Sequence, residues 1–265
     1  MNTKRAILVA SVGTSDMDAL QNSIGAIEAK IRETFPGYEV RRAFLSGCVI
    51  KRLASRGIPV DTPGQALDHL AAEGIREVVV QPAHIIRGEE TEKLVKTCGE
   101  KARLFDSLNI AAPLLSEAED FLAVARILAD EYASVPPDTA LVLIGHGSHL
   151  HTANAAFATL NDLLKKQGYM HAFVGVIGVY PDADAVLQKV IAAGYKKALL
   201  VPLMLTAGSH AKNDLAGDAE DRWKSVFEHA GITASALLRG LGEYPAVQAL
   251  YCAHIRDAQQ YAHLK

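Results

Sequence analysis

Cysteine is scarce in this 265-residue chain, at three residues (Cys48, Cys98 and Cys252) with no C-x-x-C spacing. That pattern fits a reducing compartment and excludes a thiolate metal cage. An excess of positive charge is also missing: 27 Lys and Arg against 30 Asp and Glu give a formal net charge of −3. No basic field of the kind that holds nucleic acid is present, so no nucleic-acid partner is expected. No apolar run reaches the ~18 residues of a membrane span. Lys4 and Arg5 precede AILVAS, but that run is short and leads into GTS. It reads as a first strand and not a signal peptide. The expectation is a soluble, cytoplasmic protein without a membrane partner. The Gly145–Ser148 stretch is neither G-x-S-x-G, nor G-x-G-x-x-G, nor a Walker A loop. Hydrolase and nucleotide motifs are therefore absent there.

What is present is ordinary globular composition, 49% hydrophobic and 22% charged, arranged as alternating strands and helices. Strands are expected at Ala6–Val12, Tyr38–Phe44, Glu77–Gln81, Ala140–Ile144, Ala172–Ile177, Ala198–Leu203 and Ala234–Leu238. Ile110–Ser116 reads as a short strand or extended segment. Helices are expected after Asp16, over Ser46–Arg56, from Thr62-Pro63 to Gly74, and over Glu92–Leu108, Phe121–Val135 and Ala153–Gln167. Further helices read at Ala183–Ala193, Asp218–Ala230 and from Pro245, while Pro82–Glu90 and Leu205–Asp214 read as loops. This alternation predicts an α/β fold of parallel sheets flanked by helices. Pro136-Pro137-Asp138 is the candidate linker, dividing residues 1–137 from 138–265, with the C-terminal helix free to pack back on the first half.

An internal repeat runs through that alternation. Gln65–Glu90 aligns with Ala185–His210 at a constant offset of 120, placing Gly74 on Gly194, Pro82 on Pro202, Gly88 on Gly208 and Glu90 on His210. LVASVGTS likewise aligns with VLIGHGSH, placing Val12 on His146 and Gly13 on Gly147. Two similar halves with a ligand cleft between them are expected.

Ala140–His151, ALVLIGHGSHLH, is a buried parallel strand running into a glycine-rich turn, at the sheet edge where α/β folds bind ligands. Gly145 and Gly147 are expected to turn the backbone sharply and to leave room beside His146. His210 lies in the loop after the third strand of the same half, on the same edge. Glu90 takes the equivalent place in the first half. Two histidines and a carboxylate suit a divalent first-row metal such as Co²⁺, Fe²⁺ or Ni²⁺, and equally suit proton abstraction near neutral pH. Each residue also has an ordinary reading. A lone loop histidine is usually solvated or hydrogen-bonded, and that reading is kept for His84, His149, His151, His171 and His229. Glu90, with Glu89 and Glu92, reads equally as the acidic first turn of a helix. Arg41, Arg42, Lys51 and Arg52 read as a solvated face, and as candidates for substrate carboxylates if the substrate is polyanionic.

At these residues the chain resembles the class II tetrapyrrole metal chelatases, and among them the anaerobic-pathway sirohydrochlorin cobalt chelatases of cobalamin biosynthesis. The likeness is carried by LVASVGTS, RAFLSGCVIKRL, DTPGQALDHLAAEGIREVVVQPAHIIRGEETEK, IGHGSHLH, VPLMLTAGSHAKNDLAGD and LRGLGEYPAV. The resemblance implies a duplicated, chelatase-like fold around a macrocycle cleft. It assigns metal binding and pyrrole deprotonation to His146, metal binding to His210, and the family's cleft glutamate to Glu90. Metal insertion into an anionic tetrapyrrole follows as the implied activity. Lys51, Arg52 and Arg87, with Ser11 and Thr14 in the first loop and Ser209 in the AGS loop, are then candidates for holding substrate carboxylates. The metal is expected as substrate, with no tightly bound cofactor, and a homo-oligomer is compatible with the sequence. In one place the chain departs from the family's pattern: Gly178 stands where relatives carry a glutamate before Tyr-Pro. That leaves Asp182, Asp184 or water to complete a metal site. Iron or nickel insertion, or a tetrapyrrole or metal carrier without turnover, are the rival readings. A periplasmic-type binding module fits the repeat but lacks its signal peptide.

Overall fold

The computed structural model describes residues 4–262, with the side chains of His151, His210, Tyr261 and Ala262 outside the described set. The chain divides into two compact units, Met1–Ser116 with Gly242–Lys265, and Glu117–Leu241.

The first unit begins with β1 (Arg5–Ser11), α1 (Met17–Ala19), a π-helical segment (Leu20–Gly25) and α2 (Ala26–Thr34). It continues through β2 (Glu39–Phe44), α3 (Gly47–Ala54), α4 (Pro63–Ala72), β3 (Glu77–Pro82), α5 (Glu89–Lys101) and β4 (Ser107–Ile110). Local chemistry starts these helices as the sequence leads one to expect. Asp16 accepts from the Ala19 N–H and Ser46 from that of Val49. Thr62 and Gln65 form a reciprocal capping box, with Pro63 in the first turn. The strands pair in parallel in the order β2-β1-β3-β4. Ala6, Leu8 and Ala10 of β1, with Val78 and Val80 of β3, pack on Leu67 and Leu70 of α4 and on Leu94 and Cys98 of α5.

The second unit holds α6 (Ala118–Glu131), β5 (Thr139–His146), α7 (His151–Lys166), β6 (Ala172–Ile177), α8 (Ala183–Ala192), β7 (Lys197–Leu203), α9 (Ser209–Ala216), α10 (Trp223–His229) and β8 (Thr233–Ala236). Its sheet runs β6-β5-β7-β8, again all parallel, so the two sheets repeat one strand order. Ala140, Val142 and Ile144 of β5 form the core with Val186, Val190, Leu215, Trp223 and Phe227. The last helix, α11 (Pro245–Ala262), belongs to the first unit and packs on α2, β3 and β4.

Several elements differ from the sequence reading, among them the strand or extended segment expected at Ile110–Ser116, which lies at Ser107–Ile110. The helix expected over Glu92–Leu108 starts earlier and stops at Lys101, because Phe105 turns into the core and residues 107–110 pair with β3. The segment expected as a loop at Leu205–Asp214 contains α9, and the helix expected over Asp218–Ala230 shortens to α10. The division expected at Pro136-Pro137 falls instead after Ser116 and Leu241. Helix α6 buries Val124, Ala125 and Leu128 and packs against α7, so it goes with the second sheet. No helix among the described residues is long and apolar enough to cross a membrane.

Candidate functional site

In a sheet of order 2-1-3-4 the chain reverses direction between its first and third strands. Ligands of open α/β folds bind beyond the carboxyl ends at that point. In the second unit the point lies between β5 and β7, paired from Thr139↔Lys197 to Gly145↔Leu203. His146 is the last residue of β5, and His210 is the second residue of α9, seven residues after β7 ends at Leu203. The backbone thus brings both positions to one sheet edge. The side chain of His210 lies outside the described residues.

His146 is exposed, at the end of a strand whose seven preceding residues are all buried. Its Nδ1 lies 3.1 Å from the Gly147 carbonyl. With Nδ1–H donating there, the neutral ring carries its lone pair on Nε2. The loop itself is held by a residue the sequence reading passed over. Asn154, in the first turn of α7, accepts from the Ser148 N–H at 3.0 Å and donates to the Ser148 carbonyl at 2.7 Å. The Ser148 hydroxyl in turn accepts from the Leu150 N–H at 3.2 Å. No spacing rule announces such a clasp; only its fold partner reveals it.

The two flanking glycines serve packing and not spare room. A Cβ on Gly145 would fall on the Phe157 ring, and one on Gly147 would come within 2.7 Å of Val179 Cγ2. Helix α7 and the 177–179 turn therefore approach the backbone where the sequence reading expects space for a ligand. Gly178 has φ +76°, a left-handed conformation that glycine adopts freely and a glutamate does not. Asp182 caps α8 by accepting from the Ala185 N–H at 3.0 Å, and Asp184 sits exposed in that helix's first turn. Among the described residues no three His, Cys, Asp or Glu side chains come together as a metal cage, a set that leaves out His210. A cavity of about 590 Å³ in this unit is lined by Asn154, Asn161, Val179, Tyr180 and Lys189, without His146.

In the first unit the corresponding edge lies between β1 and β3. Ser11 ends β1, 1% exposed, with its hydroxyl lacking a hydrogen-bond partner among the described residues. Thr14 is also buried, and its Oγ1 accepts from the Asp16 N–H at 3.1 Å. Glu90 is the second residue of α5, so it belongs to a helix and not to the loop expected there. Glu89 and Glu92 share its first turn, where the helix dipole favours carboxylates. The Glu90 carboxylate pairs with Lys93 at 2.7 Å. Arg87 pairs with Glu92 at 2.8 Å, both largely exposed. Ser209 opens α9 in the second unit and is exposed.

Lys51 and Arg52 lie exposed in the last turn of α3, and no described contact joins them to the other candidates. Arg42 is not on a solvated face. Its guanidinium grips the buried Glu28 carboxylate through Nε at 2.6 Å and Nη2 at 2.8 Å. His84, given the ordinary reading from sequence, is buried, with Nδ1 at 2.8 Å from Thr91 Oγ1. Burial pushes its imidazole down to about 4, against the opposing pull of the Glu90 carboxylate.

The profile of the cobalt chelatase (CbiK) family matches residues 5–260. The chain is 40% identical over 260 residues to the sirohydrochlorin cobaltochelatase of Salmonella typhimurium, covering 98% of each. It is 32% identical over 259 residues to sirohydrochlorin cobaltochelatase CbiKC of Nitratidesulfovibrio vulgaris, covering 97% of this chain and 91% of that one. Among solved structures, SirB from Bacillus subtilis with Fe³⁺ superposes with a TM-score of 0.68 at 16% identity, over 99% of this chain and 98% of the other. That likeness is one of fold.

Proposed function

Because the chain belongs to the cobalt chelatase (CbiK) family, we propose that it is a sirohydrochlorin cobaltochelatase, a lyase-class enzyme that inserts Co²⁺ into sirohydrochlorin and releases two protons. The observation that carries the reading is the placement of His146, at the end of β5, and His210, at the start of the helix after β7, at the reversal point of the second sheet. A flat macrocycle resists metal because its inner N–H groups block the centre and its nitrogens lie in plane. Binding contacts at the rim that bend the ring expose a lone pair, drawing on interactions remote from the reacting atoms. His146 presents the metal through the Nε2 lone pair, with His210 as second nitrogen donor. Glu90 or a histidine takes the pyrrole protons.

The substrate's carboxylates are assigned to Lys51, Arg52 and Arg87, and to the helix starts after the GTS and AGS loops near Ser11, Thr14 and Ser209. Lys51 and Arg52 are the residues of this set whose charge has no described partner. Cobalt serves as substrate with no resident cofactor, and the product fits a step of cobalamin synthesis in the cytoplasm. The test is the absorbance change of the purified protein with sirohydrochlorin and Co²⁺, Fe²⁺ or Ni²⁺ in turn, at substrate in large excess over protein. Many turnovers with Co²⁺, faster than with the other ions, are expected. Stoichiometric binding that stops at one equivalent would identify a carrier, and faster Fe²⁺ or Ni²⁺ insertion would reassign the metal.

A further inference from the structure

Between β3 and α5 the first unit holds a buried polar pair to which the proposed reaction assigns nothing. His84 and Thr91 are 8% and 3% exposed, and His84 Nδ1 lies 2.8 Å from Thr91 Oγ1. The Thr91 hydroxyl also reaches the Ile86 carbonyl at 3.4 Å. Its single proton directed there leaves Nδ1–H as the donor to Oγ1 and the lone pair on Nε2. That Nε2 is buried without a hydrogen-bond partner among the described residues. The His84 carbonyl accepts from the Leu114 N–H at 2.9 Å and from the Tyr251 hydroxyl at 3.1 Å. The residue thus ties the start of α5 to the body of the first unit.

Burying such a pair, with one nitrogen orphaned, is unfavourable beside apolar residues of similar shape. The second unit shows that the fold does not need it. At the offset of 120 the same two places hold Met204 and Ala211, 8% and 0% exposed. Neither side chain can form this bond, yet strand, loop and helix are built alike. Both helices start from a glycine that offers no capping side chain, Gly88 for α5 and Gly208 for α9. The polar pair therefore accompanies what is special to α5, the carboxylate at position 90, one residue before Thr91.

We propose that His84, acting through Thr91, is a positioning residue for Glu90: the buried bond fixes the first turn of α5 and so the place from which the Glu90 carboxylate works. The ring stays neutral because burial outweighs the pull of Glu90, so it orients the carboxylate without cancelling its charge. The inference rests on the role assigned to Glu90 above.

The test is a comparison of variants of the full chain in steady-state Co²⁺ insertion into sirohydrochlorin. His84→Met with Thr91→Ala installs the second unit's pair in the first. This double variant is expected to fold and to lose about tenfold in kcat, with KM for sirohydrochlorin changed by less than about twofold. In a Glu90→Gln background the same two changes should lower kcat no further, since the positioned group is gone. Equal losses in both backgrounds, or no loss in either, overturn the positioning role. Wild-type kcat in Glu90→Gln alone overturns instead the reading of Glu90 on which it rests. Thr91→Val keeps the shape and deletes the hydroxyl, and decides the same comparison if the double variant does not fold. Thr91→Ser, which keeps the hydroxyl, should retain wild-type kcat.

Discussion

The two units share a strand order and part company at its carboxyl edge. Inside each sheet the demands are the same, because strands covered on both faces must be apolar throughout. Ile7, Leu8 and Val9 of β1 answer to Leu141, Val142 and Leu143 of β5, all nearly or fully buried. At the strand ends packing no longer decides. Val12, 45% exposed, stands where the second unit has His146, Glu90 where it has His210, and His84–Thr91 where it has Met204 and Ala211. Duplication preserved the interior and let the rim diverge. The second unit carries the two histidines at this rim, and the first a carboxylate one residue from a buried threonine that meets a buried imidazole.

The sharpest way to break this contrast is to erase it at the strand end. His146→Val gives the second unit the first unit's residue, and insertion should fall about a thousandfold while thermal stability stays near wild type. Turnover within a few-fold of wild type would remove His146 from the chemistry. A change in the first unit should act on stability. Glu28→Ala leaves Arg42 facing an empty site where its buried partner stood, and urea unfolding should show a loss of about 2–3 kcal/mol. An unchanged midpoint would mean that the pair contributes nothing.

The His84–Thr91 pair predicts a pH dependence that its apolar counterpart cannot have. The imidazole is held at about 4 in the fold, against roughly 6.5 in the unfolded chain. The unfolded chain therefore takes up the proton first, and stability falls as pH drops from about 6.5 toward 4, by up to about 3 kcal/mol. His84→Met with Thr91→Ala should flatten that part of the stability profile, measured by urea unfolding between pH 7 and 4.5. The smallest expected effect concerns the loops. The first unit secures its GTS loop locally through Thr14 and Asp16, whereas the second uses a helix side chain. Asn154→Ala should loosen the Ser148 segment, lower kcat about tenfold and cost only about 1 kcal/mol of stability. Equal losses of kcat and folded protein would make the clasp merely structural.

Much of the architecture could be read before any coordinates. Apolar runs of strand length, Thr62-Pro63 before a helix, and the recurrence of Gly74, Pro82 and Gly88 as Gly194, Pro202 and Gly208 all report local backbone needs. Gly74 and Gly194 indeed carry φ of +80° and +84°, a conformation that leaves its mark on the sequence because glycine alone takes it easily. The candidate site was readable to the extent that it follows from strand ends, which is how His146 stood out. The rest depended on partners far along the chain. Phe157 explains Gly145, Glu28 explains Arg42, and Tyr251 reaches the His84 carbonyl from 167 residues away.

The sequence by itself determined the alternation of elements, the duplication and the two histidine positions, since periodicity and turn chemistry act between near neighbours. The tertiary structure alone decided where the units divide, which of the two readings of Glu90 holds, and that a buried imidazole lies behind it. Those outcomes turn on which surfaces are covered and which polar atoms meet, and burial is a property of the packed chain that no local spacing carries.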